Sequence, residues 1–183
     1  MTSLPALRHG LVPAPRRFGA CAMQAGTDKY LGIYLNDHLG GSTAGLELAK
    51  RIRGESEGTE LGAFMQGLVD EIAEDRETLL EFMDAVDAGP SRLKVAGGWI
   101  TEKLGRLKLN GELIGDSPLS RFVELESLSL GVEGKRLLWI ALLDTRPERF
   151  GAERLRELIA RAERQRVGIE EHRRKAAREA LGG

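Results

Sequence analysis

Apolar residues recur along this chain with the spacing of helices, and nowhere with the two-residue alternation of strands. Leu31, Tyr34, Leu35, Leu39, Leu46, Ala49 and Ile52 form a stripe that predicts a helix over 28–52. Leu61, Phe64, Met65, Leu68, Ile72, Leu79, Phe82, Met83 and Val86 predict a second over 59–88, with Thr59 as its N-cap. Gly89-Pro90 breaks that pattern, and Leu93, Ala96, Trp99, Ile100, Leu104 and Leu107 predict a shorter helix over 91–108. A long helix follows over 117–143, capped by Ser117 with Pro118 in its first turn. The proline loop TRPERFG ends it, and Leu155, Leu158, Ile159, Ala162, Ile169, Ala176 and Ala180 carry the last helix over 152–181.

The 117–143 stretch is apolar on two sides. Leu119, Phe122, Val123, Leu130, Leu137, Ile140 and Ala141 make one arc, with Glu126 and Glu133 in its middle. Leu125, Leu128, Val132, Trp139 and Leu143 make the other. A helix of this kind belongs at the centre of a core, where a carboxylate is costly unless a cation, a proton or hydrogen-bond donors meet it. The other stripes offer His38, Asp75, Arg76, Gln165 and His172 as polar residues within or beside them. Counting from the shared helix ends at about 1.5 Å per residue places His38, Asp75, Arg76, Glu133 and Gln165 in one layer. Glu126 and His172 fall in a second layer nearer the end.

Composition narrows the class. The chain has 183 residues, enough for one domain with a real core, and only 5% are aromatic. Its abundance of Ala, Leu, Glu and Arg suits helix over sheet. A net charge of −1 creates no global field toward nucleic acid or membrane, and no apolar run reaches the ~18 residues of a span. A single cysteine, Cys21, excludes an internal disulfide and indicates a reducing, cytoplasmic setting. Residues 1–27 contain three arginines, three prolines and no acid, and are expected to be a disordered tail ahead of one domain over 28–183. GGSTAG, 40–45, lacks both the Lys-Ser/Thr ending and the preceding strand of a phosphate loop. The 91–108 helix is basic, with Arg92, Lys94, Lys103, Arg106 and Lys108 against Glu102, but carries no nucleic-acid motif. The outer face of the second helix is acidic.

Two long helix pairs joined by a ~29-residue crossover match one bundle topology. In architecture the chain resembles the ferritin-like superfamily. The phrases YLNDHLGGSTAGLELAKRI, EIAEDRETLLEFM and ELESLSLGVEGK also resemble a bacterial family of uncharacterised proteins that carries the YLNDHL motif. The resemblance covers about residues 30–181. It implies an all-α, ferritin-like four-helix bundle of two antiparallel pairs, with a short fifth helix on the crossover. Di-iron members of that superfamily present Glu-x-x-His from two helices and a Glu from each of the others. This chain departs from that pattern: His172 follows Ile169 at the required spacing, Asp75 precedes Thr78, and Arg76 intrudes.

The expected function is therefore non-enzymatic. A metal site is replaced by a buried charge network of Arg76, Glu133, Asp75 and His38, and no cofactor is needed. The alternative is a ferritin-like oxidoreductase or iron-handling protein that holds iron or manganese through His38, Asp75, Glu126, Glu133 and His172. A homo-oligomer fits either reading. A membrane partner does not, and nucleic acid is disfavoured.

Overall fold

Phe18–Glu55 forms α1, Glu60–Asp84 α2, Pro118–Thr145 α3, Pro147–Phe150 the short α4, and Ala152–Leu181 α5. The computed structural model of the chain describes residues 18–88 and 117–182, with side chains from Asp28 onward. The described residues are helical apart from turns and contain no strand. The 91–108 helix lies outside them, as do residues 1–17 of the expected tail. α1 begins at Phe18, upstream of the expected start at residue 28.

The glycine-rich run 40–45 stays inside α1 rather than forming a loop. Ser42 Oγ and Thr43 Oγ1 both donate to the Leu39 carbonyl, at 2.9 and 3.0 Å, so these hydroxyls turn back onto the helix. Leu35, Leu39, Ala49 and Ile52 on either side are fully buried, and that packing carries α1 through five poor helix formers. Thr59 caps α2 by accepting from the Gly62 N–H at 3.1 Å. α2 stops at Asp84. Asp87 then takes a left-handed conformation (φ 51°), and the Ala88 N–H returns to the Met83 carbonyl at 2.9 Å.

The α1–α2 turn fixes one glycine. A Cβ on Gly62 would stand 2.1 Å from the Ser56 carbonyl oxygen, which also accepts from Thr59 Oγ1 at 2.7 Å. Gly62→Ala is expected to destabilise the fold by about 1–3 kcal/mol, since opening that turn outweighs the ~1 kcal/mol gain in helix propensity. A urea melt checks this, and a stabilised variant would refute the contact.

Each helix packs on two neighbours. α1 contacts α2 and α3, and α5 contacts α3 and α2. Side-chain bridges give the directions. Arg121, at the start of α3, reaches the Ile52 carbonyl and Glu55 at the end of α1. Lys175, late in α5, meets Glu60 at the start of α2. Arg149, after α3, meets Asp28 on α1 and the Ala85 carbonyl after α2. Every neighbouring pair therefore runs antiparallel, and Ala88 and Ser117 stand at opposite ends.

The core divides in two along this axis. Leu48, Ala49, Ile52, Met65, Leu68, Leu125, Leu128, Val132, Ala162 and Ile169 fill the end near Ser117. Leu35, Leu39, Leu79, Phe82, Met83, Leu138, Trp139, Leu142, Phe150, Leu155 and Leu158 fill the other. On α2, α3 and α5 the gap between the blocks is occupied by Asp75, Lys135 and Arg161, with Gln165 one turn further along α5 between Ala162 and Ile169.

Candidate functional site: a buried ion-pair layer

Asp75 is 2% exposed, and its carboxylate is met from two helices. Oδ1 accepts from Arg161 Nη2 of α5, and Oδ2 accepts from Lys135 Nζ of α3. Gln165 completes the group. Its Oε1 accepts from Lys135 at 2.6 Å, while its Nε2 donates to Asp75 Oδ2 at 3.3 Å and to Glu71 Oε2 at 2.8 Å. Arg161 also donates to Glu74 at 2.7 Å. Three acids thus face two cations, with one amide joining them.

Local sequence explains the placement. Asp75 lies three residues beyond Ile72 and four before Leu79, both buried, so α2 must turn it inward. Lys135 holds the same position on α3, three residues after Val132 and four before Trp139. Its apolar stem is buried, and its ammonium reaches the carboxylate. Burial pushes the Lys135 ammonium below the usual lysine value, and Asp75 opposes that shift. Lys135 and Arg161 are half-buried cations; Asp75 holds both, and Glu74 takes a second contact from Arg161.

The layer is the middle rung of a ladder between α2 and α5. Arg154 donates to Glu81 at 2.5 Å, Arg161 to Glu74 and Asp75, Gln165 to Glu71, and Lys175 to Glu60 at 3.5 Å. As numbers fall along α2 they rise equally along α5, the signature of an antiparallel register. Phe64 and His172 occupy a further rung, with ring centroids 4.8 Å apart. Phe64 also seats on Gly168, where a Cβ would stand 2.4 Å from its ring.

The expected network forms with different members. Asp75 and Gln165 are in it, and the cations are Lys135 and Arg161. Arg76 points elsewhere: it donates to Glu77 at 3.0 Å and to Thr43 at 3.4 Å. Glu133 is half-buried and pairs with Arg136 and Arg166, both at 3.0 Å. The Arg136 hydrogen bond, aided by Arg166, holds its carboxyl below the ordinary value. Glu126 is exposed. His38 packs edge-on to Tyr34, with centroids 4.6 Å apart, and burial lowers its pKa. The reason for the shift in membership is rotational. The arc of α3 bearing Glu126 and Glu133 faces outward, and the Leu125–Leu128–Val132–Trp139 arc faces the core.

The five expected metal ligands are accordingly dispersed. Among the described residues, no three His, Cys, Asp or Glu side chains are grouped to hold an ion. The chemistry of the donor set agrees: the one deeply buried carboxylate is neutralised by two cations, which would repel a dication. Thus the described residues do not fit an iron or manganese centre.

Away from the layer, Glu170 accepts from Arg173 at 2.6 Å and from Arg174 at 2.8 Å. These bonds hold its carboxyl down to about 2. A depressed folded value means that the stabilisation is present above about 4.5 and lost as pH falls through about 2. Because Glu170 is 37% exposed, screening leaves at most about 1 kcal/mol at neutral pH. Melts of wild type and Glu170→Gln should differ slightly at pH 7 and converge toward pH 2; a constant difference would exclude this pair as the source.

No helix among the described residues is long and apolar enough to cross a membrane. No family model matches the chain, and neither does any curated protein or solved structure.

Proposed function

We propose that the chain is a ferritin-like four-helix bundle in which an ion-pair layer replaces a metal centre, and that it acts through its surface rather than by catalysis. The observation that carries this reading is the double cation contact on Asp75. In a carboxylate-bridged metal site that oxygen pair would face the ion; here Lys135 and Arg161 take both oxygens. The antiparallel pairing of α1 with α2 and α3, and of α5 with both, supports the ferritin-like order. A base or nucleophile needs access to substrate, whereas Lys135 is enclosed by Asp75 and Gln165 between two apolar blocks.

Elemental analysis of protein produced in iron- and manganese-supplemented medium tests the reading. The expected result is substoichiometric metal, unchanged in Asp75→Asn. One metal per chain that disappears in Asp75→Asn or His38→Ala would establish the metal-binding alternative.

A further inference from the structure

The outer surface of α1 and α3 is apolar and uncovered among the described residues. Tyr30 is 73% exposed, Leu130 70%, Leu137 50% and Tyr34 36%. The register that pairs Arg51 with Glu124 sets Tyr34 and His38 level with Ala141 and Leu137, so these side chains form one face across two helices. Between them lie Gly131 and Gly134, each with open space where a Cβ would be. The outward side of α5 is unlike this: Arg156, Glu157, Arg164 and Glu171 are all exposed there.

Residues 89–116 leave the bundle at Ala88 and rejoin it at Ser117. Ala88 stands 3.3 Å from the position of a Cβ on Gly32, well inside α1 but on the side of its middle away from Glu55. Ser117 begins the turn of α3 whose Arg121 reaches the Glu55 end of α1. With 28 residues in α3, the two ends are about 40 Å apart at 1.5 Å per residue. α2 and α3 are opposite corners of the ring, so a link outside the bundle crosses either α1 or α5. Within it, Leu93, Ala96, Trp99, Ile100, Leu104 and Leu107 share one helical stripe. Such a stripe loses water-exposed apolar area on the α1/α3 face and gains less on the mostly charged α5, where Val167 and Leu181 are the exposed large apolar side chains. Its basic residues would also meet Asp37, Glu126 and Asp144, exposed along that face.

We infer that residues 89–116 dock their apolar stripe on the α1/α3 face around Tyr34 and Leu137. This rests on the helix order and the exposed face, and is independent of whether the ion-pair layer replaced a metal. Trypsin treatment of the full chain tests it, because Arg92, Lys94, Lys103, Arg106 and Lys108 all lie in the docked segment. The wild type should resist cleavage there, and Tyr34→Glu with Leu137→Glu should be cut about tenfold faster at unchanged helix content. Trp99→Glu with Leu104→Glu alters the segment instead of the bundle and should give the same acceleration. Equal cleavage rates in all three proteins would overturn the docking. So would a wild-type dimer that dissociates in the Tyr34/Leu137 variant with no change in cleavage, which would assign the face to a second copy.

Discussion

Asp75→Ala is expected to destabilise the fold by about 3–5 kcal/mol, the usual cost of removing one partner from a buried ion pair. The carboxylate serves Lys135 and Arg161 together, so its loss strands charge on two helices at once. Arg161 keeps Glu74 and reaches partial solvent; Lys135, with a side chain 14% exposed, keeps only the Gln165 carbonyl among its hydrogen bonds. The cost should therefore fall mainly on Lys135. Its lowered pKa should drop further once Asp75 no longer opposes burial. A folded value below the unfolded one means that stability rises with pH between the two, so the variant should recover part of its loss as pH rises toward 10. Adding Lys135→Met removes the stranded ammonium and should restore more than half of the deficit at pH 7. Urea melts of the single and double variants at pH 7 and 9.5 check both points. An Asp75→Ala loss below about 1 kcal/mol would show that the layer is hydrated rather than dry.

Trp139→Ala is expected to cost a similar amount, about 3–5 kcal/mol, for a different reason. The indole is 1% exposed and stands edge-on to Phe82, whose ring lies 4.6 Å from Phe150. Truncation would leave a cavity where three helices and the α3–α5 turn meet, and aromatic partners would lose their contacts. Trp139→Phe should cost much less. It keeps most of the ring volume and removes an Nε1–H that has no hydrogen-bond partner, so the polar part of the side chain contributes nothing to be lost. If Phe proved as damaging as Ala in a thermal melt, the indole nitrogen would have to be engaged after all.

Helix content and the long elements were legible in the sequence because their stripes are long and interrupted by Gly-Pro, Ser-Pro and Thr caps. Asp75 and Gln165 were legible too: each sits between buried apolar neighbours at helical spacing, and counting residues put them at one level. The orientation of α3 was not. It carries two apolar arcs, and periodicity alone cannot say which arc finds partners. With the Glu126–Glu133 arc turned inward, Lys135 looks like a solvent lysine. With Val132 and Trp139 inward, it becomes the residue opposite Asp75. The signal was present, since Lys135 completes the i, i+4, i+7, i+11 run Leu128, Val132, Lys135, Trp139 only in the second orientation. His38 and Arg76 show the finer limit. Each lies one position from a buried neighbour, and that rotation moves a side chain from the centre to the rim.

Between the two apolar blocks, the layer of Asp75, Lys135 and Arg161 also fixes how far along one another the helices may sit. Sliding α3 by a single turn, about 5.4 Å, would carry the Lys135 ammonium into one block and leave Asp75 facing leucine. Leucine-on-leucine contacts tolerate such a slip; this layer does not. The same three residues therefore select a single axial alignment for α2, α3 and α5.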